Sequence, residues 1–459
     1  MTGRWSMHNG YRDVLRVALP LIVSMGASSL MFFTDRLFLS AYSLDAIAAA
    51  LPAGIASFLF MSFFMGTAGY VNVFIAQYTG AGQPERVASS LWQGIWFCLG
   101  SWVAMALLWF AAEPLFALVG HSPAVQALEV AYFQVLSLGA GIGVLAVALS
   151  SFYSGRGLTR PVMVVNLAGA ALNIPLDYAL INGAWGAPEM GIVGAGCATV
   201  LGWCFSTLVF ALLIFRRSNN LRYGMRAAWR LDRVLFGRLL RYGLPGGVEF
   251  FIDIFAFTFF VLTMGRIGFV ELAATNIAVS INGLTFLPMI GMHVALSTLM
   301  GQSIGRGTPE EGAQAVTSAL HMTMAYMAVV CLVFVFFPDW LLECFRQRGG
   351  GGADFAAVKE QGMVLLRMLA LYTLFDGFSI VYFGALKGAG DTLWCMWAMA
   401  GVSLSLLVVP VFVCVEWFHS SVYVAWTWML AYSLGLGSAS MWRYRRGRWR
   451  GMRVIESAS

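Results

Sequence analysis

Five carboxylates lie inside long apolar runs of the sequence, where acidic side chains are least expected. They are Asp35, Asp177, Glu249, Asp253 and Asp376. A charged side chain near the centre of a lipid bilayer costs roughly 3 kcal/mol even on lenient insertion scales. Such groups therefore usually face a cavity or a partner, and the chemistry open to them is the binding of a proton, a metal cation or a cationic ligand.

Two pairs of polar residues have a spacing of four, which places the members of each pair on one helix face. In LNIPLDYALING, Asn173 and Asp177 flank Pro175, which frees a backbone carbonyl. An amide, a carboxylate and a carbonyl are hard oxygen donors that suit a proton or Na⁺. The other pair is Glu249 and Asp253. Two ionised carboxylates there would repel each other, so we expect one of them to hold a proton or a cation to lie between them.

The remaining two acids have different neighbours. Asp35 precedes Arg36 in FFTDRLF, so an ion pair at a helix end is an alternative to a binding role. Asp376 is flanked by Phe375 and Phe378 in LYTLFDGFSIVYF. A carboxylate among aromatic rings suits a lipophilic cation, through its charge and through cation–π contact.

The composition around these acids is that of a membrane protein. Of 459 residues, 59% are hydrophobic and 11% are charged, whereas soluble domains carry roughly 25% charged residues. A helix needs about 20 apolar residues to cross a bilayer, and twelve stretches are predicted to do so. They are residues 15–40, 46–79, 89–111, 126–153, 162–183, 192–216, 237–265, 270–302, 313–337, 360–386, 393–415 and 420–441.

The basic residues predict the orientation of these spans. With a cytoplasmic N-terminus, the Arg-rich stretch 216–241 and the tail 443–453 both fall on the cytoplasmic side. This is the positive-inside pattern, so both termini are predicted to be cytoplasmic. The net charge of +6 then indicates contact with anionic lipid, and no nucleic-acid partner is expected.

The chain also contains an internal repeat. At an offset of 225 residues, AQYTGAGQPE aligns with GQSIGRGTPE, so that Gln77 and Gly80 match Gln302 and Gly305. Each half holds six spans, an even number, so both halves have the same orientation. This predicts an all-α polytopic membrane protein of two six-helix lobes. The predicted parts are an N-lobe (1–216), a cytoplasmic basic amphipathic linker (217–236), a C-lobe (237–441) and a basic cytoplasmic tail (442–459).

With the repeat and the acids, the chain resembles the MATE (multidrug and toxic compound extrusion) antiporters of the bacterial NorM/DinF-like type. The motifs that carry the resemblance are RVALP, FFTDRLF, AQYTGAGQPE, LNIPLDYALING, GIVGAGCATVLG, GLPGGVEFFIDIF and DGFSIVYFGALKGAGDT. The resemblance implies a transporter of the bacterial inner membrane that exports cationic amphipathic compounds in exchange for H⁺ or Na⁺. It implies no enzymatic activity and no cofactor, and we expect a monomer.

The resemblance, together with the spacing of Glu249 and Asp253, assigns the site residues. The predicted cation- and substrate-binding residues are Asp35, Tyr132, Asn173, Asp177, Thr199, Glu249, Asp253 and Asp376. No catalytic residue is expected, and no metal apart from Na⁺ at Asp253 and Asp376 or at Asp35 and Asp177. The family usually has Glu where Asp253 stands, and Glu249 is an additional acid. Acids in both lobes leave open which lobe carries the coupling site.

The sequence leaves two alternative functions open. A lipid-linked oligosaccharide flippase of the same superfamily would need several basic residues for a pyrophosphate headgroup, and only Arg36 and Arg367 qualify within the spans. A receptor or channel is disfavoured by acids in both repeated halves. The sequence has no GxxxxGK[ST] nucleotide motif, which favours a secondary transporter over an ATP-driven pump.

Overall fold

The computed structural model describes residues 4–5, 7–345 and 352–456, so residues 1–3 of the predicted N-lobe and 457–459 of the predicted tail lie outside the described residues. Within the described part, the protein is helical and contains no strand. Eleven helical stretches there are long and apolar enough to cross a membrane. The twelfth predicted span corresponds to the 24-residue helix Val422–Arg445.

The twelve helical stretches are called spans 1 to 12 below. In chain order they are Tyr11–Tyr42, Leu44–Gly80, Pro84–Ala117, Pro123–Ser154, Arg160–Asn182, Gly191–Ile214, Arg233–Ile267, Phe269–Arg306, Pro309–Phe336, Phe355–Ala389, Thr392–Glu416 and Val422–Arg445. Proline stands in the first turn of spans 3, 4 and 9, where its missing N–H costs no helical hydrogen bond.

Three spans are interrupted. Span 2 divides into Leu44–Gly69 and Val71–Gly80, and span 3 contains the 3₁₀ turn Leu108–Ala111. In span 11, the π-helical turn Leu404–Val408 separates Thr392–Ser403 from Val409–Glu416. Short helices at Arg217–Tyr223 and Pro338–Glu343 lie between spans.

The chain divides into two compact units. Among the described residues, the first-half unit contains those of Leu19–Phe251, Gly301–Gly307 and Arg453–Ser459, and the second-half unit contains those of Met1–Ala18, Ile252–Met300 and Thr308–Met452. Three of the divisions fall inside spans 1, 7 and 8. The lobe and linker boundaries taken from the sequence therefore stay a prediction.

Span 4 is the centre of the first-half unit. It packs against spans 2, 3 and 6, and span 5 packs against span 6. A Cβ atom on Gly139 would collide with the branched side chain of Val200 on span 6. Glycine is therefore required at this position for the close approach of spans 4 and 6. This packing fixes the positions of the polar side chains that spans 4, 5 and 6 carry.

Residues between spans 6 and 7 pack on span 3 in the same unit. The indole nitrogens of Trp92 and Trp96 donate to the carbonyl oxygens of Met225 (2.7 Å) and Trp229 (3.0 Å). The segment that joins the two halves is therefore held by hydrogen bonds to the start of span 3. Its predicted cytoplasmic location stays a prediction.

In the second-half unit, span 10 packs against spans 9 and 12. Asp391, just before span 11, forms a bidentate ion pair with Arg443 near the end of span 12. Arg443 Nε and Nη2 lie 2.6 and 3.1 Å from the two Asp391 carboxylate oxygens. The side chains are 12% (Arg443) and 6% (Asp391) exposed. Bidentate geometry makes such a pair both strong and directional.

Candidate functional site

A buried polar cluster, called the first-half cluster, consists of Asp35, Tyr132, Asn173 and Asp177. The Tyr132 hydroxyl donates to Asp35 Oδ2 at 3.3 Å. Asp35 and Asp177 lie within electrostatic range of each other, and Tyr132 lies within range of both. All four side chains are buried, Asn173 and Asp177 completely. Spans 1, 4 and 5 thus bring together four of the predicted site residues.

Five polar atoms of this cluster have no hydrogen-bond partner among the described residues. They are Asp35 Oδ1, Asn173 Oδ1 and Nδ2, and both carboxylate oxygens of Asp177. Buried polar atoms in native proteins are nearly always paired, with protein groups or with ordered water. Carboxylate and amide oxygens can be satisfied by a proton or by a hard cation such as Na⁺. The cluster therefore has the chemistry of an ion-binding site.

Thr199 belongs to the same region because of its place on span 6, where it is 3% exposed. A Cβ built on Gly196 would lie 3.4 Å from Tyr132 Cδ2, and one built on Gly202 would lie 3.5 Å from Asn173 Cβ. Thr199 stands three residues from each glycine, and residues three apart share a helix face. Thr199 is therefore on the face of span 6 that packs against the cluster.

A second cluster lies in the second-half unit and is called the second-half cluster: Asp253, Asp376, Tyr372 and Tyr432. The Tyr432 hydroxyl donates to Asp253 Oδ1 at 3.2 Å. The two aspartates lie within electrostatic range of each other, and Tyr372 lies within range of both. Tyr372 is 8% exposed and Tyr432 is 5% exposed. Spans 7, 10 and 12 therefore bring together two carboxylates and two buried phenols.

The π-helical turn of span 11 begins beside this cluster. Tyr432 Oη lies 3.4 Å from Met399 Sδ, and the Ser403 hydroxyl lies 3.6 Å from the same sulfur. Ser403 is completely buried and immediately precedes the turn. Because π turns are rare and frequently found at functional sites, the turn indicates that this part of span 11 belongs to the candidate site.

Glu249 lies four residues before Asp253 on span 7, and its side chain is 7% exposed. A binding role for Glu249 stays a prediction. Among the described residues, no three His, Cys, Asp or Glu side chains are grouped as a metal site, so a bound Na⁺ would also need amide, hydroxyl or carbonyl oxygens.

Sequence reasoning missed Tyr372, Tyr432, Met399 and Ser403. Tyr372 could have been found from the sequence, because it precedes Asp376 by four residues and therefore shares its helix face. Tyr432 could not have been found in this way, because nothing near it in the sequence shows that span 12 packs beside Asp253.

Twelve predicted membrane spans, an internal repeat and buried acidic clusters in both units define a membrane transport protein of the two-lobe, repeat-built kind. The model of the MatE family matches residues 20–179 and 245–413. The chain therefore belongs to the MATE family of transporters, which are not enzymes. The predicted family is confirmed.

The chain is similar along nearly its whole length to curated bacterial proteins. It is 30% identical over 404 residues to a probable multidrug resistance protein NorM of Pseudomonas syringae pv. tomato, covering 86% of this chain and 87% of that protein. It is 28% identical over 440 residues to a protein of the same name from Pseudomonas putida, covering 94% and 90%.

Solved structures show the same fold. One is an outward-facing conformation of a multidrug resistance MATE family transporter, with a TM-score of 0.86, 20% identity and 97% of both chains covered. Another is a MOP superfamily transporter from Pyrococcus furiosus, with a TM-score of 0.86, 20% identity and 96% and 97% coverage. The predicted all-α fold of twelve membrane helices in two lobes is confirmed.

Proposed function

We propose that this protein is a cation-coupled antiporter that exports cationic amphipathic drugs or toxic metabolites by alternating access, with H⁺ or Na⁺ as the coupling ion. Its membership of the MATE family and the multidrug resistance names of its relatives support efflux. The observation that carries the coupling is the set of buried polar atoms on Asp35, Asn173 and Asp177 that have no hydrogen-bond partner in the described part of the chain.

In the proposed mechanism, the coupling ion and the cationic drug compete for the same carboxylates. With the acids open to the outside, a proton or Na⁺ neutralises them and weakens their attraction for a bound cationic drug, which leaves. The lobes then rock, the ion leaves to the inside, and the next drug molecule meets ionised carboxylates. Coupling arises because each ligand has a different affinity for the two protonation or ion-bound states.

We assign ion and substrate binding to both clusters, together with Thr199 and Glu249. The second-half cluster has features suited to an organic cation, because two buried tyrosine side chains lie near its two carboxylates. The first-half cluster has features suited to a small ion, because its donors are carboxylate and amide oxygens.

The cellular setting is also part of the proposal. The distribution of arginines supports a bacterial inner-membrane protein with both termini in the cytoplasm. We propose a monomer of two lobes joined by the linker 217–236, in contact with lipid and not with nucleic acid.

Drug tolerance tests this function in cells. We expect expression in an efflux-deficient bacterium to raise tolerance to ethidium-like dyes, and Asp376→Asn to abolish the gain at equal expression. Tolerance that is the same with wild type and with an empty vector, across a wide panel of cationic dyes, would contradict drug export. That result would direct the search towards lipid-linked substrates.

A further inference from the structure

The two copies of the repeated glycine motif meet in the first-half unit. Gly80 packs against the carbonyl oxygen of Gln302, and Gly305 packs against the carbonyl oxygen of Gln77, so a Cβ atom at either glycine would collide with backbone. The two contacts are equivalent under the repeat, because the glycine and the glutamine exchange places. The end of span 2 and the end of span 8 thus cross at a contact that only glycine permits.

The C-terminal segment Arg453–Glu456 binds to both sides of this crossing. Arg453 Nη2 donates to the carbonyl oxygen of Gly305 at 3.2 Å. The backbone N–H of Val454 donates to the side-chain oxygen of Gln77 at 3.0 Å. Val454 and Ile455 are only 2% and 5% exposed. The segment is therefore packed into the unit and bonded to both repeated motifs.

Glu456 fixes the far end of the segment. Its Oε2 accepts a hydrogen bond of 2.7 Å from the hydroxyl of Tyr78, and its Oε1 lies 2.5 Å from Arg238 Nη1. Tyr78 is completely buried. Hydrogen bonds to an ionised carboxylate are about twice as strong as those between neutral groups, so this is a specific attachment.

The charge of the segment differs from that of the rest of the predicted tail. Residues 442–459 are rich in arginine and contain a single acidic residue, Glu456. A stretch that served only as a basic anchor for anionic lipid would gain nothing from this acid. The one acid is also the residue that is held by Tyr78 and Arg238.

We propose that Arg453–Glu456 is an intramolecular latch that holds the end of span 8, Gly301–Gly307, to the end of span 2. The latch releases when these helix ends separate in the transport cycle, and this last step rests on the proposed alternating access. The attachment itself does not, since it can be measured without substrate or ion gradient.

Hydrogen exchange followed by mass spectrometry on the purified full chain in detergent tests the latch. We compare wild type with Glu456→Gln and Tyr78→Phe. Loss of a charge-assisted hydrogen bond should speed exchange in residues 453–456 about tenfold, and exchange in residues 301–307 should rise at least about threefold with it. Glu456→Gln changes a residue outside the spans, so it tests the latch even if Tyr78→Phe fails to fold.

Glu310→Gln is the matched control. It removes an acid that pairs with Arg450 at 3.6 Å, with both side chains more than half exposed, and it should leave exchange in both segments unchanged. Unchanged exchange in 453–456 in the latch variants would overturn the proposal. Faster exchange in 453–456 with no change in 301–307 would also overturn it, because the segment would then bind without holding span 8.

Discussion

Asp177 has two buried carboxylate oxygens without hydrogen-bond partners among the described residues. Replacing Asp177 with Asn removes a charge and breaks no observed hydrogen bond. Because a buried charge is costly to desolvate, Asp177→Asn should leave the Tm unchanged or raise it. Ion-driven dye efflux from proteoliposomes should fall at least about tenfold, since the site loses the charge that ion and drug compete for.

Asp45→Asn is the control for this prediction, because Asp45 is an exposed carboxylate in the first turn of span 2. It should keep efflux within about twofold of wild type. Normal efflux in Asp177→Asn would remove Asp177 from the coupling site. A fall in its Tm of several degrees would instead indicate a structural role.

Tyr432 holds Asp253 through a single hydrogen bond of 3.2 Å. Loss of one such bond to a charged group costs about 1.5 kcal/mol, or roughly tenfold in an equilibrium constant. We expect Tyr432→Phe to shift the concentration of H⁺ or Na⁺ that gives half-maximal drug release by about this factor, with a fall in the Tm of no more than about 2 °C. Tyr423→Phe, an exposed tyrosine on the same span, should cause no shift. Identical ion dependence in both variants would contradict the role given to Tyr432.

The ionisation of Glu456 sets the pH range in which the latch is held by its hydrogen bond from Tyr78. Partial burial would raise the pKa of Glu456, but the Tyr78 hydroxyl, the Glu456 backbone and the charges of Arg238 and Arg86 hold it below its ordinary value of 4.5. A lowered pKa in the folded state means that the bond is fully present above 4.5 and is lost as the pH falls through the lowered value. Exchange protection of residues 453–456 should therefore be constant between about pH 6 and 8. A loss of protection within that range would contradict this account of the carboxylate.

At the scale of helices, the ion pair between Asp391 and Arg443 joins spans 11 and 12. Removing one partner leaves the other charge largely buried, which costs roughly 3 kcal/mol. Asp391→Asn should therefore lower the Tm by about 3 °C. Glu310→Gln, which breaks an exposed pair, should change the Tm by less than about 1 °C. Equal Tm values for the two variants would show that the buried pair contributes no net stability.

The sequence was informative about helices where a signal is local. The spacing of Asn173 and Asp177 placed both side chains on one face. The starts predicted at residues 89, 126 and 313 were three to five residues late, although Pro84, Pro123 and Pro309 mark where these spans begin. The break in span 2 at Tyr70 and the π turn after Ser403 were not predicted. Such interruptions depend on contacts with neighbouring helices, which no pattern within a single span records.

The same distinction applies to the site. A pair within one span, such as Asn173 and Asp177, can be recognised from spacing. The contact between Asp35 and Tyr132 crosses from span 1 to span 4, and only the family resemblance pointed to Tyr132. No comparable signal existed for Tyr432, because helix packing alone brings it to Asp253.

For the whole molecule, the internal repeat has two consequences. It predicts, from the sequence alone, two halves of six spans with the same orientation. It also underlies the crossing of Gly80 with Gln302 and of Gly305 with Gln77, which the aligned motifs did not reveal. Sequence alignment shows that two segments are equivalent, but their contact depends on the three-dimensional packing.

The central claim is that an inward flow of H⁺ or Na⁺ drives outward transport of cationic compounds. Dye transport in proteoliposomes, driven first by a pure Na⁺ gradient and then by a pure pH gradient, tests it most directly. We predict transport under at least one gradient, and its loss under that gradient in Asp177→Asn or Asp376→Asn. Absence of transport under both gradients, with a wide panel of cationic dyes and correctly inserted protein, would contradict the claim.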